Sequence, residues 1–356
     1  MHGRASPTLR PAVLGRMLAG TVHPFLRVGV ELPPVPFPSV AAGARASERL
    51  EPSERLGRSR LVESWWPVAN AAVSAGAGVI WMSGGPSGAR RGASLACDAC
   101  TIAAAAVPHV PGPLLGVMSH VPVDRHPALV ARDVTALDVL SGGRAAVRLC
   151  WAGRMVDLCD GGGGDEPAAL EHLGEAVAVC RAVLHDEDAV FEGKHLHVAG
   201  AVNRPRPRRE DGPPLIVDAP AGGAALARRD AAAAFFVRQV VVGAAAVVCS
   251  DDPAEVGAWR DVLDDAAAVW GTSGGPERPA ILCRTALRPT AGDAGRDSVA
   301  NGARALARLR SARAAGAEGV IVRIAGARRD DPAPRGQIGT PALALALRQR
   351  FSPWLS

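Results

Sequence analysis

Eight short apolar runs rich in β-branched residues recur along this chain, separated by stretches long enough for helices. That alternation constrains the fold more than any other feature. The runs are Leu26–Leu32, Val79–Met82, Leu114–Met118, Ala145–Cys150, Leu215–Val217, Ala233–Val237, Ile281–Leu287 and Gly319–Ile324. Helical patterns lie around residues 60–75, 99–106, 127–140, 171–184, 222–232, 253–270, 304–315 and 341–351. No two-residue hairpin signal joins the runs, so parallel pairing through helical crossovers is expected. Such a chain either closes into a barrel or stays open as a doubly wound sheet. An open nucleotide-binding sheet carries a glycine fingerprint after its first strand, whereas here that strand runs into Glu31-Leu-Pro-Pro34. The expected fold is therefore α/β, a (β/α)8 TIM barrel with insertions in the loops at the strand C-termini. It should occupy residues 26–356 as one domain, after a flexible segment at 1–25.

Composition excludes several other classes. A 356-residue chain with 48% hydrophobic residues can bury a large core and lies within the usual size range of barrels. Nothing approaches the roughly 18 unbroken apolar residues of a membrane span; the Ala-rich run Val237–Cys249 contains Arg238 and Gln239 and is too short. The net charge of +5 comes from arginine, Lys194 being the only lysine. These arginines are scattered except for Arg204–Arg209, which sits in a Pro-rich connection, and aromatic residues make up 4%. Nucleic-acid binding, which needs a basic footprint and stacking platforms, is not expected. Residues 1–26 lack the apolar core and small-residue cleavage site of a signal peptide. Seven cysteines (97, 100, 150, 159, 180, 249 and 283) are an odd number, which fits reduced cytoplasmic thiols better than a disulfide framework. The lone Cys97-Asp-Ala-Cys100 pair has no second pair to complete a zinc site.

Two segments carry more specific information. His126-Pro-Ala-Leu-Val-Ala-Arg-Asp-Val-Thr-Ala-Leu-Asp-Val-Leu-Ser-Gly-Gly-Arg144 reads as a Pro-started helix with Ala131, Leu137 and Leu140 toward the barrel, His126 at its entry and a glycine turn at its end. The second is Phe191-Glu-Gly-Lys-His-Leu-His-Val-Ala-Gly-Ala-Val-Asn-Arg-Pro-Arg-Pro207, followed by Pro213–Gly223 and Ala227-Arg-Arg-Asp-Ala-Ala-Ala-Ala-Phe235. His195 and His197 within it read as alternate strand residues, since two ligands without a third make a weak metal site.

Together these segments resemble the bacterial-luciferase-like flavin monooxygenase superfamily over roughly residues 26–325, and most of all its nitrilotriacetate-monooxygenase branch. The resemblance implies a barrel that uses reduced flavin mononucleotide (FMN) and oxygen on a small organic substrate, with a separate flavin reductase and commonly as a homodimer. A second branch implies a deazaflavin instead.

Candidate site residues follow from the resemblance and the barrel. Ala221-Gly222-Gly223, after the fifth strand and Ala219, opens a helix whose free N–H groups suit a cofactor phosphate, with Arg148 as its charge partner. Ser119 and His120 end the third strand on the catalytic face, where His120 is the best-placed acid–base group. Trp81 and Trp151 are placed to flank a planar ring. The chain also departs from the family pattern. Ala221 replaces a serine, Asp218 falls near a glutamine, Arg148–Ala152 replaces a hydroxyl-bearing segment, and the usual acid after the second strand falls near Gly84-Gly85. Those losses support an alternative: a degenerate, non-catalytic barrel that binds or dimerises with an active relative.

Overall fold

The computed structural model describes residues 26–32, 65–84, 98–121, 125–151, 166–209, 212–220, 222–270, 278–287, 296–324 and 340–355. The segment 1–25, Gly85, the glycine-rich stretch 152–165, Cys97, Cys159, Ala221 and the side chain of Trp151 lie outside the described residues.

Eight parallel strands close into a barrel: β1 (Val28–Glu31), β2 (Val79–Ser83), β3 (Leu114–Val121), β4 (Ala145–Trp151), β7 (Leu215–Asp218), β8 (Ala246–Ser250), β9 (Ala280–Leu287) and β10 (Gly319–Ile324). β1 completes the ring against β10, with Val28 opposite Val320 and Glu31 opposite Arg323. Around it lie α1 (Trp65–Ser74), α2 (Ala99–Ala106), α3 (Pro127–Ser141), α4 (Glu166–His185), α5 (Gly223–Ala227), α6 (Ala231–Gly243), α7 (Pro253–Trp270), α8 (Arg296–Ala315) and α9 (Thr340–Leu355). Strands such as Val-Ile-Trp-Met-Ser are buried along their whole length, because one face meets helices and the other the barrel interior.

Apolar residues divide by strand parity into two cores. The outer one joins Ile80, Val117, Leu149, Val217, Ile281 and Val322 to helix residues such as Leu137, Phe236 and Trp259. The inner one fills the lumen with Val79, Trp81, Leu114, Met118, Ile216, Leu282 and Ile321.

Three sequence expectations need correction. Ala233–Val237 is no strand; it lies in α6, opened by Asp230, whose side chain accepts from the N–H groups of Ala232 and Ala233. The buried positions Ala233, Phe236, Val237 and Val240 recur at helical spacing, and the sixth barrel strand is the fully buried Ala-Val-Val-Cys stretch that follows. Leu140 is 67% exposed while Ala131 and Leu137 are buried, since it falls on the solvent side of α3. His195 and His197 are not alternate residues of one strand: an antiparallel hairpin, β5 (Ala189–Glu192) with β6 (His197–Ala201), emerges between α4 and β7, and His195 lies in its turn. Its turn is held by Glu175, whose buried carboxylate accepts from the N–H groups of Lys194, His195 and Leu196 at 2.7–2.9 Å.

The turn after α3 explains its sequence. Gly142 and Gly143 take φ of 75° and 92°, where only glycine is at ease. The Asp138 carboxylate accepts from Ala145 N and Arg208 N. The Arg144 guanidinium donates to the carbonyls of Val107, Val110 and Pro113, tying the α2–β3 connection to the start of β4.

Candidate active site

Strand alternation decides what faces the lumen. With Val79 and Trp81 inside, Ser83 shares their face; by the same parity so do Glu31, His120, Arg148, Asp218, Ser250, Arg284 and Arg323. Apolar side chains fill the floor and polar ones gather toward the strand C-termini, the face on which barrels hold their chemistry. Trp81 takes the centre of the floor. A Cβ at Gly116 would clash with its six-membered ring at Cε3, Cζ3 and Cδ2, and one at Gly29 would lie 3.1 Å from its Nε1. These two glycines therefore make room for the indole.

Above Trp81 lies an ion-pair cluster. The Arg148 guanidinium has none of its side chain exposed. Its Nε and Nη2 lie 2.6 Å from Asp218 Oδ1, and Nη1 lies 3.0 Å from Glu31 Oε2. Its carbon stands 6.0 Å from the centre of the Trp81 ring. Burial alone pulls the guanidinium's pKa down, but the charges of Asp218 and Glu31 outweigh it and hold it above the ordinary arginine value. Beside the cluster, burial first and Asp218 second push the Cys150 thiol well above its usual range. Arg284 approaches Asp218 Oδ2 at 3.4 Å, with 40% of its side chain exposed.

The residues expected from sequence separate accordingly. His120 lies half-buried on the inner face, opposite Cys150 in register. Ser119 is buried with Val117 and Val121 on the outer face, away from the mouth. Arg148 is directed into the lumen, where two carboxylates balance its charge. Ala219 donates its N–H to Val248 O within the sheet. Gly222 has φ +76° and open space where a Cβ would stand, so its backbone is approachable. Gly223 is a packing glycine, since a Cβ there would lie 2.8 Å from Trp259 and 2.9 Å from Pro220. His195 pairs with Glu171 and stacks on His172 at 5.1 Å, and His197 is exposed. Among the described residues no group of three or more His, Cys, Asp or Glu side chains is placed to hold a metal ion, and no helix is long and apolar enough to cross a membrane.

The sequence reading missed Glu31, Arg284 and Arg323. Their signal was available, since each is a lone charge within or at the end of a buried run.

Comparison with known proteins places this geometry in context. The profile of the luciferase-like monooxygenase family matches residues 67–334. Among solved structures, the monooxygenase RslO1 from Streptomyces bottropensis superposes with a TM-score of 0.62 at 17% identity, over 93% of this chain and 100% of that one. An F420-dependent secondary alcohol dehydrogenase, solved with an F420–acetone adduct, gives 0.60 at 13% identity over 91% of this chain and 98% of that one. The F420-dependent tetrahydromethanopterin reductase from Methanopyrus kandleri gives 0.59 at 14% over 93% and 99%. At these identities the structural likeness is one of fold.

Proposed function

This chain belongs to the luciferase-like monooxygenase family, and on that premise we propose that it is an oxidoreductase using reduced FMN and oxygen on a small organic substrate. The observation that carries the reading is the change of lining at the barrel mouth. Above the apolar floor, His120, Asp218, Glu31 and Arg284 converge, beside a β7–α5 turn left open at Gly222. The residues fit a flavin in that the uncovered backbone at Gly222 admits a phosphate and the mouth supplies polar groups for a ring and substrate. When bound, reduced flavin supplies electrons to oxygen or to a substrate, chemistry that no side chain here can provide.

The chain's own contribution is positional. Gly222 lets an anion approach the backbone. Trp81 and Arg148 close the floor and keep water from entering through the barrel axis. His120 stands on the inner face, where an imidazole can hold or pass a proton. In this reading a separate reductase supplies the reduced flavin.

A deazaflavin is the alternative cofactor, and both kinds are titrated anaerobically against the purified protein. Reduced FMN is expected to bind more tightly than reduced F420; the reverse order replaces FMN with the deazaflavin. Gly222→Asp tests the phosphate site, because aspartate tolerates left-handed φ and adds a repelling charge. Flavin affinity should fall at least about tenfold. Unchanged affinity removes Gly222 from the site. The second reading, a barrel retained as a binding partner, is favoured by Arg148, whose charge two carboxylates already balance, and it prevails if neither cofactor binds.

A further inference from the structure

The floor and the Gly222 turn leave two cations at the mouth unused. Arg284 on β9 and Arg323 on β10 lie on neighbouring parallel strands, in register with Ile321 and Ala286 respectively. Both share the inner parity, so they stand diagonally across one strand gap, with Cα atoms roughly 8 Å apart from strand spacing and rise. Two arginine side chains rooted that far apart can close on a single small group. Arg284 keeps 40% of its side chain exposed, and its 3.4 Å approach to Asp218 is long beside the 2.6 Å contact between Asp218 and Arg148. Arg323 is exposed, and among the described residues no carboxylate pairs with it, although Glu31 is its register neighbour. Glu31 is engaged by Arg148 instead. Arg148, Arg284 and Arg323 therefore share the inner face with Glu31 and Asp218, while Glu255, the further carboxylate beside this face, is engaged by the Ser250 hydroxyl. β9 and β10 are also the seventh and eighth barrel strands, beside whose C-terminal loops barrels frequently hold phosphate.

We propose that Arg284 and Arg323 form an oxyanion-binding subsite at the barrel mouth, taking a carboxylate, sulfonate or phosphate in their two planar forks. As the recognition half of the flavin site the subsite rests on the reading above, whereas its test does not require that reading. The oxyanion comes either from the organic substrate or from the cofactor's phosphate.

The test uses the full chain with three probes, namely citrate, FMN and riboflavin, each titrated calorimetrically against wild type, Arg284→Gln, Arg323→Gln and the double variant. Circular dichroism and Tm confirm that each variant is folded. Wild type should bind citrate saturably and more weakly as salt rises. Each single substitution should weaken citrate at least about tenfold, the double should abolish it, and Arg323→Lys should restore part. If the preference for FMN over riboflavin collapses in the double variant, the oxyanion is the cofactor's phosphate. If that preference holds while citrate binding is lost, the oxyanion belongs to the substrate. A double variant that binds both citrate and FMN as wild type does overturns the subsite, as does a wild type that binds no citrate and whose FMN preference ignores the double substitution. Arginine-dependent citrate binding by a wild type that takes no flavin removes the flavin reading and leaves the subsite standing.

Discussion

Arg148 carries a full charge into the centre of the barrel, and its ion pairs with Glu31 and Asp218 make that tolerable. Removing one partner of a buried pair leaves the others uncompensated. Arg148→Met should therefore cost about 3–5 kcal/mol in urea unfolding, while the triple variant Glu31→Gln/Arg148→Met/Asp218→Asn recovers most of it. Equal losses in the single and triple variants would mean that packing around Trp81 matters more than charge. Gly116→Ala drives a methyl into the Trp81 ring and should cost about 1–3 kcal/mol by overpacking; adding Trp81→Leu should relieve part of it. His120→Ala should lower turnover at least about tenfold while flavin affinity stays within a few-fold. A lower Tm with unchanged turnover per folded molecule would make His120 a packing residue. At this scale the sequence shows polar residues in buried strands, so His120 and Arg148 stand out at once. It does not show that strands one, four, five and seven meet across a lumen. For that reason the partners of Arg148, and the face on which Ser119 lies, emerge only from the closed ring.

Among the elements, those with their own punctuation were the most legible. The helix at 127–141 starts at a proline and stops at two left-handed glycines, and both ends are written in local residues. The strand misplaced at Ala233–Val237 shows the limit, because alanine and β-branched residues side by side serve either period. Asp230 as a cap was the signal that decides it. The β5–β6 hairpin was hard to read because its turn, although it carries Gly193 and closes through Gly193 N–H donating to Leu196 O, also depends on Glu175 from another element. The contact between α4 and that hairpin's turn, where His172 stacks on His195, also carries a pH dependence. Burial first, then the neighbouring charge of His195, lower the pKa of His172 against an opposing pull from Glu175, with a lesser lowering from His126. A histidine lowered in the folded state is neutral there. The stability tied to it is complete above the ordinary histidine value near 6.5 and is lost as pH falls through that value toward the lower folded one. Tm should therefore drop between pH 7.5 and pH 5.5, and His172→Phe should shrink the drop. An unaltered drop would assign the acid sensitivity to other groups.

Closure of the ring makes the molecule's stability collective. Every barrel strand has two neighbours, and opening any one pair creates two unpaired edges and exposes both cores. The buried thiols report on that opening from different places. Cys150 lies in the lumen, Cys180 on α4 toward α3, and Cys249 and Cys283 sit opposite one another on β8 and β9. Burial raises all four, to about 12 for Cys180 and Cys249, so at pH 8 the folded protein offers almost no thiolate at these sites. In a Cys97→Ser/Cys159→Ser variant, iodoacetamide labelling across a urea series, resolved by peptide mass, should therefore follow unfolding rather than native reactivity. If the barrel opens as one unit, Cys150, Cys180, Cys249 and Cys283 become labelled with a common urea midpoint that matches the loss of helical circular dichroism. Labelling of Cys249 and Cys283 at distinctly lower urea than Cys150 and Cys180 would show that β8 and β9 can leave the ring while β4 and α4 remain folded. The sixth and seventh strands would then form a separable unit, and Arg284, carried by β9, would sit on the barrel's least stable wall.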